Sequence, residues 1–391
     1  VSNLVGCVNI LQSADVQDGG RVKGTSMAAS IGTRLRALRE GRGMSQEELS
    51  RALGFENRQT VAQIEAGHRK VSAEELVKAV AAFDVSVDYF TNPFLIAGEA
   101  RFSWRRTDVP LSDLDAFERK AGEWIGAYRV LKVATGGMLS PIAHRLTLTR
   151  ANSYEEAMLA GEAVADYLEL GDVPSADLPR AMQDRMRILV LMVDAPPGIS
   201  GAACLLRDLG AVLVNRRETP GRRNYDLAHE LFHVLTWDAM PPERLDDGEG
   251  SGKIQRRVET MAEKFASAVL MPARLFQNVD GPVTDPDWLN ATATALGVSA
   301  RALKWRMVDL GRIDRDVARG YDDDLLVNNG TSGTKERHRP PAFGEPYLKV
   351  VAAGIAQGEL SVRRAAALLD VTVDGLGDLM DLHGVPRPSD L

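Results

Sequence analysis

Apolar residues recur at helical intervals over most of the chain and collapse into short unbroken runs in one place. Ile31, Leu35 and Leu38 are spaced for one helix face. Ser45-Gln46-Glu47-Glu48 then reads as a capping box. It opens a second helix that runs to about Leu53 and stops at Gly54. A third helix follows over 58–65, ended near Gly67. Ser72 and Glu75 form another capping box and open a fourth, with Leu76, Val80 and Phe83 inward. Leu114, Phe117, Ala121, Ile125 and Tyr128 predict a helix over 113–131, and Ser153 with Glu156 caps one that ends near Gly171. Residues 188–193 are all apolar, a buried strand; 202–206 and 211–214 are two more, with Asp208 and Gly210 in the turn between them. Helical spacing returns over 225–237 and over 257–270, where Pro272 ends it. Two further helices are predicted around Trp288, Leu296, Leu303 and Leu310, and a helical tail over 347–382. The pattern describes an α+β chain, mostly helical, with one small sheet.

Length and composition divide this string. A chain of 391 residues should hold two to four domains. The expected segments are a disordered extension (1–28), a helical bundle (29–92), a helical connector (93–149), an α+β domain with trailing helices (150–320), a polar linker (321–345) and a C-terminal helical segment (346–391). No basic residue precedes the weakly apolar start, which argues against a signal peptide, and the helical pattern begins only after Met27, a candidate translation start. No apolar stretch reaches the roughly 18 residues that cross a bilayer, so a cytoplasmic protein without a membrane partner is expected. The net charge of −7 confines any nucleic-acid contact to one module. Cys7 and Cys204 give neither a disulfide framework nor a cysteine zinc site. The cluster Arg101, Phe102, Ser103, Trp104, Arg105 and Arg106 is expected to pack at a domain junction rather than to hold nucleic acid.

Within 29–92, two short helices joined by a tight turn describe a helix-turn-helix. The second carries Asn57, Arg58, Gln59, Thr60 and Gln63, side chains suited to base edges, while Gln46, Arg69 and Lys70 are placed to hold phosphates. The segment carries nine basic and nine acidic residues, so a bundle used for protein contacts is the competing reading. The order Ser45-Gln46-Glu47-Glu48-Leu49, Gly54, then Ile64-Glu65-x-Gly67 resembles the XRE (lambda-repressor-like) helix-turn-helix family, with a turn one residue longer than its commonest form. The resemblance implies DNA binding through 29–92.

The run 225–237 contains His229-Glu230-Leu231-Phe232-His233. On a helix, His229 and His233 share a face and can offer two imidazoles to one cation, with Glu230 beside them to act on a water. A third ligand is needed. Carboxylates in the Gly- and Pro-rich stretch 241–253 suit a mobile loop and hold nothing rigidly. On the next helix, Glu259 lies close to the stripe Val258, Ala262, Phe265, Ala266 and Val269, whereas Glu263 lies further round. That makes Glu259 the candidate ligand, for one zinc per chain. An exposed edge of the sheet before this helix would be able to pair with an extended substrate.

Arg223-x-x-x-x-Ala228-His229-Glu230-Leu231-x-His233, followed by Glu259-x-x-Ala262-x-x-Phe265-Ala266-x-x-x-Leu270-Met271-Pro272, resembles the ImmA/IrrE family of zinc metallopeptidases. So does Gly198-Ile199-Ser200 ahead of a strand ending in Asn215. The resemblance implies a zincin-like domain with His229, His233 and Glu259 as zinc ligands and Glu230 as the catalytic carboxylate. It implies a protein substrate, a helix-turn-helix repressor, cut in a stress or mobile-element response. The sequence departs from the family at Asn224-Tyr225-Asp226, where Arg or Gln, Phe, and Thr or Ser are expected, and at Met261, where an acidic residue is common. Two other classes compete: a transcriptional regulator whose zinc fold senses without turnover, and an interaction scaffold with a structural zinc. The chain also admits a homodimer.

Overall fold

The computed structural model describes residues 11–13, 27–96, 100–107, 109–241, 251–278, 281–328 and 339–391. They form two compact units. One holds Val16–Arg101, Leu114–Leu139 and Glu345–Leu391, the other Val1–Asp15, Phe102–Asp113 and Ser140–Gly344.

In the first unit, α1 (Met27–Gly41), α2 (Gln46–Leu53), α3 (Arg58–Glu65), α4 (Ala73–Phe83) and α5 (Val87–Thr91) enclose Leu35, Leu49, Leu53, Val61, Ile64 and Phe83. Their ends are set by local hydrogen bonds. Ser45 accepts from the Glu48 amide while the Glu48 carboxylate takes the Ser45 amide, and Ser72 and Glu75 repeat the arrangement. Gly54, at φ 73°, terminates α2 in the left-handed region that glycine tolerates best. Asn57 caps α3 by accepting from the Thr60 amide at 3.2 Å. The long α6 (Leu111–Ala134) contributes Trp124, whose Nε1 donates to the Leu368 carbonyl at 2.9 Å, and Tyr128, stacked on Tyr347.

The second unit is built on strands. β1 (Leu11–Ser13), inside the stretch expected to be disordered, pairs antiparallel with β3 (His144–Leu146). A four-stranded sheet has the order β2-β5-β6-β4, from β2 (Arg101–Arg106), β4 (Ile188–Val193), β5 (Ile199–Leu205) and β6 (Gly210–Asn215). β4 runs parallel to β6, and β5 antiparallel to it. One correction to the sequence reading follows. The 101–106 cluster is a strand, so the 93–149 connector supplies β2 and β3 as well as α6. β5 and β6 lie inside the sheet, each with a strand on both sides, which leaves β2 and β4 at its edges. The other outer strand, β4, exchanges backbone hydrogen bonds with Phe343 through Met192.

Helices α7 (Tyr154–Tyr167), α8 (Pro174–Met186), α9 (Pro220–Thr236) and α10 (Ser251–Leu270) share one core with the sheet, including Val164, Val190, Val212, Leu231, Phe232, Phe265 and Val269. α7 and α10 meet at Gly161. A Cβ there would lie 2.5 Å from the Phe265 carbonyl oxygen, so only glycine permits this approach. α11 (Pro286–Leu296) and α12 (Ala300–Asp309) follow, joined by a left-handed Gly297 whose carbonyl accepts from Asn224 Nδ2 at 2.7 Å. That bond ties the first turns of α9 to the trailing helices. Residues 242–250, most of the expected mobile loop, lie outside the described residues, and α10 is already formed at Ser251.

Candidate metal centre and DNA-reading helix

α9 begins with Pro220, whose missing N–H falls where a helix has no use for one. From Asp226 to Thr236 every residue is buried, so the histidines sit on a helix locked on all sides. His229 and His233, one turn apart, bring their Nε2 atoms to 3.1 Å. Glu259 on α10 places Oε2 3.1 Å from His229 Nε2 and Oε1 3.7 Å from His233 Nε2. The three ligand atoms lie within 4.8 Å of one another. Two donors at zinc's usual bond lengths on a tetrahedron stand about 3.3 Å apart, so the spacing fits one small cation. Gln255 Nε2 donates to Glu259 Oε1 at 2.8 Å and fixes the carboxylate. Glu263 is exposed and is not in the group; its backbone carbonyl accepts from the Tyr225 hydroxyl at 2.7 Å, which commits that phenol elsewhere. Among the described residues no fourth His, Cys or carboxylate joins, as in zinc sites that keep a position open.

The charges are strongly perturbed. Glu230 is completely buried and neither of its oxygens has a hydrogen-bond partner among the described residues. Burial pushes its carboxyl up to about 8, against the pull of His233 and Arg105. Burial and the nearby Arg105 charge drive His229 down to about 3, which keeps its imidazole neutral and able to bind metal. Burial works against charge on His233, but Glu259 outweighs it and leaves the imidazole raised. Burial also opposes charge on Glu259, yet its hydrogen bonds to both histidines hold it well below the ordinary carboxylate value. A carboxylate drawn to two imidazoles, beside a second carboxyl without partners, is a donor set that suits one cation.

In the other unit, α3 exposes Arg58, Gln59 and Gln63, with Thr60 partly covered. Asn57 spends its side-chain oxygen on capping α3. Gln46 donates to Glu65 Oε2 at 2.9 Å, and Glu65 is gripped by Arg39 through two hydrogen bonds at 2.6 and 3.0 Å. Arg69 is no free phosphate holder: it is bidentate to Glu75 at 2.7 and 3.1 Å and lies over the Phe55 ring. Lys70 is exposed.

A helix-turn-helix family model matches residues 35–90, and a peptidase-family model described as an IrrE N-terminal-like domain matches residues 183–307. The chain carries both domains. Together they give the architecture of the ImmA/IrrE family, with a helix-turn-helix domain ahead of the IrrE-like domain. No curated protein matches the chain. Among solved structures it is similar to the apo form of the competence regulator ComR from Streptococcus vestibularis. That likeness is 11% identity over 92% of this chain and 100% of the other, at a TM-score of 0.17, too weak to carry an argument.

Each departure of the IrrE-like domain from its family pattern on α9 has a local cause. Asn224 holds the Gly297 carbonyl, Tyr225 holds the Glu263 carbonyl, and Asp226 is a buried carboxyl between two arginines. Met261 is fully buried in the core, where an acidic side chain would lack partners. Sequence reasoning missed Arg105 and Asp226. The available signal was Asp226 itself, four residues before Glu230 on a face that is otherwise apolar or metal-directed.

Proposed function

We propose that the chain is a DNA-binding regulator fused to a zinc-dependent endopeptidase that cleaves a protein partner, with a helix-turn-helix repressor as the expected substrate. It would work in the cytoplasm, where DNA and repressor meet; no described helix is long and apolar enough to cross a membrane. One zinc per chain would be held by His229, His233 and Glu259. Bound there, zinc supplies Lewis acidity toward a water and a carbonyl. Glu230 accepts the proton of the attacking water and returns it to the leaving nitrogen. Both of its oxygens are uncommitted among the described residues, so either can take up the proton. α3 presents Arg58, Gln59, Thr60 and Gln63 to base edges, with Asn57 capping the helix and Gln46 at the start of α2.

The observation that carries this reading is the coincidence of three donor atoms within 4.8 Å and a buried, unpartnered Glu230 beside one of them. Incubating the zinc-loaded protein with helix-turn-helix repressors from the same cell should yield a single metal-dependent cut. Glu230→Gln should abolish the cut while zinc and DNA binding persist. If wild type and variant gave identical transcriptional responses with no cleavage by either, the sensor reading would replace this one.

A further inference from the structure

β2 lies outside the stretch matched as the IrrE-like domain, yet it reaches the metal helix. It borders β5, and β5 passes directly beneath Glu230: a Cβ added to Gly201 would lie 3.3 Å from Glu230 Cγ. From β2, Arg105 brings Nε to 3.2 Å from Asp226 Oδ1, one helical turn before Glu230. Asp226 already has another cation, since Arg222 Nε is 3.3 Å from its second oxygen. The Arg105 contact is an ion pair without hydrogen-bond alignment, and Arg105 Nη1 is buried with no acceptor among the described residues. A buried charged donor without a partner is costly and rare, and such groups concentrate where a ligand or a reaction will complete them.

We propose that Arg105 binds the oxygen of the scissile carbonyl and stabilises the negative charge that develops on it. This rests on the peptidase reading. As the water oxygen bonds to the carbonyl carbon, the C=O π pair moves onto oxygen and the water proton passes to Glu230. As the C–N bond breaks, the pair returns to re-form C=O and the proton goes to nitrogen. Arg105 supplies a fixed positive donor to that oxygen throughout and exchanges no proton. Asp226 anchors the guanidinium in advance, so little reorganisation is needed at the moment of reaction.

Cobalt(II) in place of zinc gives a visible spectrum that reports ligation, and inorganic phosphate is a simple oxyanion probe. Phosphate should shift the spectrum of the wild-type cobalt protein. Arg105→Gln should weaken phosphate binding about 10- to 100-fold, what a charged hydrogen bond contributes, with cobalt affinity unchanged. Arg105→Lys keeps a cation near Asp226 but loses the planar fork; it should also retain cobalt and bind phosphate more weakly than wild type. It decides the matter if circular dichroism shows that Arg105→Gln misfolds. Equal phosphate affinity in wild type and a folded variant would overturn the proposal, as would a wild-type cobalt protein blind to phosphate. Failure of the wild type to bind cobalt would overturn the peptidase reading and this inference with it. With a substrate in hand, Arg105→Gln should lower kcat by about 10²–10³ and leave KM little changed.

Discussion

Replacing Glu230 by Gln should abolish catalysis and, in metal-stripped protein, make the fold more stable. The Glu230 carboxyl is buried without partners and its pKa stands at about 8, against 4.5 when unfolded. Between those values the folded state holds a proton that the unfolded state has released. Stability therefore falls as pH rises from about 4.5 and levels off above about 8. At pH 7 about 2.5 units of that interval have been crossed. At about 1.4 kcal/mol per unit this is a penalty on the order of 3 kcal/mol. Gln does not ionise and escapes it, while replacing a neutral carboxyl with a group of similar size and polarity. His229, lowered to about 3, contributes with the opposite slope, but it is present in both proteins and largely cancels in their difference. The two units make a single unfolding transition a poor measure. Hydrogen exchange of the α9 amides in chelator-treated protein, with urea as perturbant, follows the relevant unit alone. Glu230→Gln should gain roughly 3 kcal/mol of protection at pH 7, with the gain vanishing near pH 4.5. Added zinc should narrow the gap, because a nearby cation favours the charged carboxylate. A variant no more stable than wild type at pH 7, or a difference independent of pH, would refute the reasoning.

Zinc content should fall from one per chain to none in His229→Ala or His233→Ala, and binding should weaken strongly in Glu259→Ala while Glu263→Ala keeps its metal. Elemental analysis and chelator competition check this, and the reverse result for the two glutamates would move the ligand role to Glu263. Gly161→Val should cost about 1–3 kcal/mol by overpacking and also weaken zinc binding, since it pushes on α10, which carries Glu259; thermal unfolding and zinc titration read the two effects. Arg58→Ala and Gln59→Ala change exposed side chains of α3, so they should leave helicity intact. Each should lower sequence-specific DNA affinity by about 1–3 kcal/mol where it removes a bidentate pairing with a base edge. Fluorescence anisotropy checks that, and a genomic pull-down without a preferred sequence would make the module a partner-docking bundle. Arg69→Ala should instead destabilise the helix-turn-helix, because it removes the pair with Glu75; thermal unfolding reads that change.

What could be read from the sequence was what neighbours along the chain decide. Ser45 with Glu48, Ser72 with Glu75 and Ser153 with Glu156 each close within one turn, so the starts of α2, α4 and α7 follow from four residues apiece. The pairing of His229 with His233 needs only the helix repeat. Glu259 was reachable because the stripe beside it, from Val258 to Val269, is buried as its spacing predicts. Arg69 was misread because its partner Glu75 lies across a loop, where spacing says nothing of approach. β2 was invisible for a stronger reason. Three arginines in six residues do not look like a strand inside an α+β core, and β5, the strand that makes it one, comes almost a hundred residues later. Asp226 stood out only as a misfit where the family has Thr or Ser. A carboxyl with no exposed surface on α9 calls for polar partners brought to it; burial raises its pKa against the pull of Arg105 and Arg222. Arg222 comes from the same helix and is partly exposed, so a buried partner has to come from elsewhere in the fold. The sheet edge supplies it through Arg105, which links the altered position in the metal helix to a strand outside the matched peptidase domain.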